Sequence, residues 1–155
     1  MDGSVEESGF EVLVVGAGAA GQMAAIAAAE QGRRVGLLEQ MDRPGLKILA
    51  SGGGRCNLTN LVTTEEFIAA FGRSGRFTGP ALAQMGPAML RTFMDRLGVA
   101  TITPDGCHVY PAGERATEVQ NALRRRLDEL GVELHTRTEV IRLRVESGRL
   151  RGVET

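Results

Sequence analysis

Tryptophan is absent from this sequence of 155 residues, tyrosine occurs once and phenylalanine five times. A protein that reads nucleic acid by stacking bases carries more aromatics than this on a basic face. The net charge of −1 supplies no field to draw in a polyanion or an anionic membrane. Cysteine is almost as scarce. Cys56 and Cys107 lie far apart and form no Cys-x-x-Cys pair, which argues against a metal site and against thioredoxin-like redox chemistry. A long unbroken apolar run is missing too. Residues 12–29 come nearest, but Gly16, Gly18, Gly21 and Gln22 interrupt them. The segment before them, Met-Asp-Gly-Ser-Val-Glu-Glu, is acidic where a signal peptide is basic. The expectation is a cytoplasmic protein that binds no membrane, no nucleic acid and no metal. With 43% hydrophobic and 24% charged residues, the composition is that of about one globular domain.

What the chain does have is glycine, 21 residues of it, and the order of its segments gives the glycines meaning. Residues 10–15 are a short apolar run that suits a parallel strand covered on both faces. Residues 19–31 are alanine-rich and stop at Gly32, as a closely packed helix would. Residues 34–38 read as a second strand, which completes a βαβ unit. Residues 40–62 are irregular, with one helical turn at 45–50, and loops of this length in a compact domain are usually functional. Thr63 and Glu66 form a capping box for a helix to Phe71. Pro87 opens a helix that runs to Leu97 and ends at Gly98. Residues 99–110 read as two strands around the hairpin signal Asp105-Gly106. Residues 115–130 are an amphipathic helix with Val119, Leu123, Leu127 and Leu130 on one face, capped by Gly131. A strand at 132–135 and a hairpin over 138–154, turning at Ser147-Gly148, complete the chain.

The first glycine motif is Gly16-Ala-Gly18-Ala19-Ala20-Gly21. A bare Gly-x-Gly-x-x-Gly says little. This one follows a strand, opens a helix and precedes a second strand that ends in an acid. Gly16 permits the tight turn, Gly18 lets backbone approach a pyrophosphate, and Gly21 lets the helix pack closely. The helix N-terminus offers free N–H groups to the phosphates. Glu39 ends the second strand, where its carboxylate can accept hydrogen bonds from an adenosine ribose. Without a dinucleotide, the same residues are a glycine-rich turn and a strand-end surface charge. The fold class expected is α/β, a Rossmann-like dinucleotide-binding domain of the FAD type, three-layered, with a parallel sheet and a β-meander.

A second glycine segment, Ser51-Gly-Gly-Gly54-Arg55-Cys56-Asn57-Leu-Thr-Asn60, has no counterpart need in plain NAD dehydrogenases. FAD, whose flavin half must be carried away from the adenosine site, gives it a purpose. Gly52–Gly54 let backbone lie against a ligand, Arg55 offers charge, and Asn57, Thr59 and Asn60 offer hydrogen bonds to ring edges. Read plainly, it is a flexible surface loop with an unusual density of polar groups.

The stretch Glu39-Gln40-Met-Asp-Arg43-Pro-Gly-Leu-Lys47, together with residues 51–60, resembles the signature of a bacterial group of NAD(P)/FAD-dependent oxidoreductases, the BaiN-like or aminoacetone-oxidase-like flavoproteins. The resemblance continues through Asp105-Gly-Cys-His-Val-Tyr-Pro111 and through residues 131–140. It implies FAD as cofactor, NAD(P)H as possible co-substrate and a small organic substrate. It implies that Gly16, Gly18, Ala19, Ala20 and Gly21 hold the pyrophosphate and that Glu39, with Gln40 beside it, holds the ribose. Arg43 and Lys47 would line the phosphate and ribose region, Gly54, Arg55, Cys56 and Asn57 would sit close to the flavin, and Val140 would meet the adenine through its backbone. Members of the group are much longer. They continue into another strand, a substrate domain and a C-terminal return to the FAD domain, so residues 1–155 correspond to their N-terminal part. The first strand would then lack a neighbour, which the missing half or a second copy of the chain would cover.

Several residues invite over-reading. Cys56 resembles the first redox cysteine of disulfide reductases, but no second cysteine follows it, so packing near the cofactor is the expectation. His108 and His135 each fall in a predicted strand with no carboxylate or cysteine partner close in sequence, and are read as structural. Arg124-Arg125-Arg126 is read as a solvated helix face. No catalytic residue is assigned, because in a flavoprotein the cofactor carries the redox chemistry. Two other readings stay open. One is a plain NAD-binding protein, against which residues 51–60 and 132–154 argue. The other is a non-catalytic truncated subunit that pairs with a separately encoded second half.

Overall fold

The computed structural model describes residues 9–155. In chain order the elements are β1 (Val12–Val15), α1 (Ala19–Glu30), β2 (Val35–Leu38), α2 (Leu46–Ala50), β3 (Thr59–Asn60), α3 (Thr64–Ala70), α4 (Gly75–Gln84) and α5 (Pro87–Arg96). They are followed by β4 (Thr101–Ile102), β5 (His108–Pro111), α6 (Ala116–Glu129), β6 (Glu133–His135), β7 (Arg142–Glu146) and β8 (Arg149–Glu154). These form two compact units. One comprises the chain up to Leu46 together with the chain from Arg124 onward, and the other is Lys47–Leu123.

The first unit is built on a parallel sheet of order β1-β2-β6. Val12 to Val15 lie opposite Val35 to Leu38, and Gly36 to Leu38 lie opposite Glu133 to His135. All four residues of β2 are buried, as the central strand of a parallel sheet requires. β1 is only half-buried, and Val15 at its C-terminal end is 57% exposed. Among the described residues β1 has one strand neighbour, so its other edge is open. The alanine-rich α1 forms because alanine has the highest helix propensity, and its short side chains let it lie close to β1 and β2. Ala25, Ile26, Val35, Leu37, Leu127 and Val132 form the core of this unit. At about 0.8 kcal/mol per buried methylene, these aliphatic groups are its main source of stability. Arg126 of α6 reaches Glu30 of α1 at 2.8 Å.

The second unit contains an antiparallel sheet of order β3-β5-β4 and helices α3, α4 and α5. The Asp105-Gly106 turn joins β4 to β5, as expected from the sequence. The capping box of α3 is present: the Thr63 hydroxyl accepts from the Glu66 N–H at 3.2 Å, and the Glu66 carboxylate accepts from the Thr63 N–H at 2.8 Å. α5 begins at Pro87, as read from the sequence.

Four elements depart from the sequence reading, the first being β3, which lies within residues read as irregular. α4 was not legible, because Pro80 sits inside it and its glycines break the apolar period. Residues 51–54 form a 3-10 turn instead of an open loop. The terminal hairpin begins at Arg142, not at 138. Residues 137 and 138 follow the course of β2 instead: the N–H groups of Arg137 and Thr138 donate to Met41 and Glu39 carbonyls, both at 2.9 Å. The hairpin turns at Ser147-Gly148, with φ of +51° and +75°, which matches the primed turn type that short hairpins favour.

Candidate functional site

The glycine loop sits between the end of β1 and the start of α1. Gly16 has φ +93°, open to glycine at little cost. A Cβ on Gly21 would collide with the Gly16 carbonyl, so the close approach of helix to strand depends on its absence. A Cβ on Gly18 would meet nothing within 4 Å. The space in front of Gly18 is therefore clear of protein. The first backbone hydrogen bond into α1 runs from Gln22 N–H to the Gly18 carbonyl at 3.0 Å. Gly18, the N-cap, has no side chain to cap the helix, and no acidic residue stands in the first turn. The helix end thus presents N–H groups and a positive dipole end with no acidic residue of its own first turn against it.

Ala17, buried between Gly16 and Gly18, is the brace of this loop. Its N–H donates to Glu39 Oε2 at 2.7 Å. Its carbonyl accepts from the Gln22 side chain at 3.0 Å and from Gly45 N–H at 2.9 Å. Glu39 Oε1 accepts from Met41 N–H at 2.9 Å. The Glu39 carboxylate therefore ties the glycine loop to the loop after β2. Gln22 is fully buried, and its amide is a structural strut that an alanine-rich helix conceals in sequence. Gln40 and Arg43 are exposed on the same loop, and Val140 is half-buried beyond β6.

The second unit holds Gly54, Arg55, Cys56 and Asn57. Gly52, Gly53 and Gly54 have φ of +55°, +65° and +89°, and Cys56 adopts φ +62° without being glycine. A non-glycine residue in that region costs about 1–2 kcal/mol. Cys56 N–H donates to the Ser51 carbonyl at 3.0 Å, which holds the turn. Cys56 is buried, and burial pushes its thiol above the ordinary range against a hydrogen bond from Ser51. A buried thiol that resists ionisation is a poor nucleophile, in accord with a packing role. Both cysteines are free. Lys47 is exposed on α2.

Arg55 does not stand free. Its guanidinium lies 4.6 Å from the centre of the Tyr110 ring and 3.4 Å from the Glu114 carboxylate. The glycine turn also rests on that ring, since a Cβ on Gly52 would come within 3.4 Å of it. His108, two residues before Tyr110 on β5, corrects the sequence reading. It does have a carboxylate partner, Asp105, whose Oδ2 lies 2.5 Å from His108 Nδ1. Asp105 Oδ1 accepts the N–H of Cys107 at 2.9 Å and of His108 at 2.7 Å. These bonds, those from the Cys107 backbone first, hold the Asp105 carboxyl well below the ordinary carboxylate range. The Asp105-Gly106 pair thus makes the turn and also supplies the carboxylate that faces His108. His135, by contrast, packs edge-on against Phe10 at 6.0 Å. The arginine run on α6 is exposed at Arg124 and Arg125, and Arg124 and Arg126 pair with Asp128, Glu129 and Glu30. Among the described residues no cluster of metal-ligating side chains occurs and no helix is long and apolar enough to cross a membrane.

A βαβ unit whose glycine loop is braced against a strand-end glutamate narrows the choice of family, and the profile of the HI0933-like protein Rossmann domain matches residues 10–155. The chain belongs to this family. This HI0933-like chain is 36% identical over 134 residues to the 3-dehydro-bile acid delta(4,6)-reductase of Clostridium scindens, covering 84% of the chain and 32% of that relative. It is 40% identical over 91 residues to the ribosomal RNA dihydrouridine synthase of Escherichia coli, covering 59% of the chain and 22% of that relative. The HI0933-like chain thus spans about a third or less of the curated relatives it matches. Among solved structures, the 3-ketosteroid-delta4-(5alpha)-dehydrogenase of Rhodococcus jostii superposes with a TM-score of 0.69 at 18% identity, over 93% of this chain and 41% of that one. A flavocytochrome c3 fumarate reductase gives 0.68 at 24% identity, over 88% and 28%. At such identities these likenesses concern the fold, which is the Rossmann-like fold of FAD-binding domains in an oxidoreductase family.

Proposed function

We propose that this chain is the cofactor-binding part of a cytoplasmic flavoprotein oxidoreductase. In this reading it binds FAD, accepts hydride from NAD(P)H and saturates a ring C=C bond conjugated to a carbonyl. The observation that carries the FAD assignment is the space in front of Gly18, clear of protein, at an α1 N-terminus with no acidic residue in its first turn and with Glu39 alongside. These residues fit a dinucleotide. Gly18 and the N–H groups of Ala19, Ala20 and Gly21 would take the pyrophosphate, and Glu39 would take the ribose hydroxyls. Gln40, Arg43 and Lys47 would lie toward phosphate and ribose, and Val140 would meet adenine through its backbone. The family pattern assigns Gly54, Arg55, Cys56 and Asn57 to the flavin end. Bound flavin would supply two-electron chemistry that no side chain here provides.

The substrate class draws on the names of the relatives. A delta(4,6)-reductase of a 3-dehydro bile acid and an enzyme that makes dihydrouridine both add two hydrogens across a ring double bond. Visible absorbance of the purified protein tests the reading, because bound flavin absorbs where nicotinamide does not. Anaerobic bleaching by NADH or NADPH tests the donor. Gly18→Val is expected to abolish flavin binding while circular dichroism stays that of the parent, because the branched side chain would enter the phosphate space. A Gly18→Val protein that retains full flavin would sink the assignment.

A further inference from the structure

The second unit carries, on β5 and the turn before it, His108 and Asp105, for which the cofactor reading has no use. His108 and Tyr110 are two residues apart on β5 and so point to the same face, with ring centres 6.5 Å apart. Tyr110 is the ring on which Arg55 stacks and against which the Gly52 turn rests. His108 is thereby tied, within one unit, to the segment assigned to the flavin end. Its Nδ1 faces Asp105 Oδ2 at 2.5 Å, while Asp105 is itself fixed by two backbone N–H groups. Among the described residues Nε2 has no hydrogen-bond partner, and the side chain is 46% exposed. Asn60 is the residue opposite His108 in the β3–β5 register. Its side-chain carbonyl is buried and has no hydrogen-bond partner among the described residues.

We infer that His108, oriented by Asp105, is the proton donor to the substrate. The inference rests on the functional reading above. Bound reduced flavin would supply the hydride for the β-carbon of the conjugated C=C, and this chain's part is the proton. The α-carbon receives the proton from His108 Nε2. The π bond is replaced by two C–H bonds, the substrate is reduced and the flavin oxidised. His108 is left neutral, its remaining proton on Nδ1 facing Asp105, and Nε2 recovers a proton from solvent. A carboxylate on Nδ1 is the usual device for fixing this tautomer. Positioned proton transfer of this kind is worth about 10²–10⁴-fold in rate.

The test uses the full chain loaded with FAD, reduced anaerobically with dithionite and mixed with cyclohexenone. His108→Asn is expected to keep its flavin content and reduced spectrum and to reoxidise at least about 100-fold more slowly than the parent. Independently, ¹⁵N NMR of the neutral imidazole is expected to show the Nδ1–H tautomer in the parent and a mixture in Asp105→Asn. Equal reoxidation rates in parent and His108→Asn would overturn this inference and leave the functional reading intact. An unchanged tautomer in Asp105→Asn would overturn the role of Asp105. A parent that holds no flavin, or whose reduced flavin the enone does not reoxidise, would overturn the functional reading and this inference with it.

Discussion

At the scale of single residues, Glu39 has the most to answer for. Both its oxygens hold backbone N–H groups, Ala17 at 2.7 Å and Met41 at 2.9 Å, and each retains capacity for a ligand hydroxyl. Glu39→Ala is therefore expected to act twice. It removes charge-assisted bonds worth about 1.5–3 kcal/mol each, so FAD affinity should fall roughly ten- to hundred-fold in a flavin titration. It also frees two backbone donors, which should lower the melting temperature without any ligand present. Unchanged affinity would place the adenosine elsewhere. Asp105 gives a pH-dependent expectation. Its carboxyl is held below its ordinary range in the folded protein, so it stabilises the fold above the unfolded value of about 4 and loses that effect as pH falls. Urea midpoints of parent and Asp105→Asn should differ at neutral pH and converge in acid. Gly16, Gly18, Gly21 and Glu39 stand out in the sequence by their spacing, and the fold places them on the loop and strand end that the spacing predicts. The sequence hid the partners. Gln22 bracing Ala17 and Arg55 lying on Tyr110 are contacts that only the folded chain brings about. Asp105, three positions from His108, was within reach of a reader who took turns for possible ligands of side chains.

At the scale of elements, local signals were sound where a specific side chain makes them. The capping box at Thr63, the proline that opens α5 and the Asp105-Gly106 turn all fold as read, because each rests on chemistry within four residues. Thr63→Ala should destabilise α3 by about 1 kcal/mol, seen as faster hydrogen exchange at Glu66 and Phe67. An unchanged exchange rate there would mean that packing alone holds the helix. Signals failed where tertiary placement decides. Thr59–Asn60 is a strand because β5 lies beside it, and two residues carry no periodicity of their own. Thr138 leaves the terminal hairpin because Glu39 offers it a carbonyl, and nothing in residues 138–154 announces that competition.

At the scale of the whole molecule, β1 has one paired edge among the described residues, and its Val15 is 57% exposed. An open edge of this kind templates pairing with another strand. Residues 1–155 expressed alone are expected to associate, to hold FAD only when it is supplied in excess, and to sustain no steady-state NAD(P)H turnover. Light scattering, flavin content and an NAD(P)H assay check this, and a yellow monomer that turns over would refute it. The insertion of Lys47–Leu123 between β2 and β6 also sets a schedule for synthesis. The inserted unit is contiguous and its own strands pair among themselves. The parallel sheet instead waits for Glu133–His135, roughly 95 residues after β2 leaves the ribosome, or about 5–20 s at ~5–20 residues per second. During that interval β1 and β2 are a two-stranded ribbon with two unpaired edges, and the insert can finish folding before the dinucleotide unit that precedes it in the chain. The nascent chain should therefore be most vulnerable to proteases and to chaperone capture in its first half, with protection arriving late, once β6 emerges.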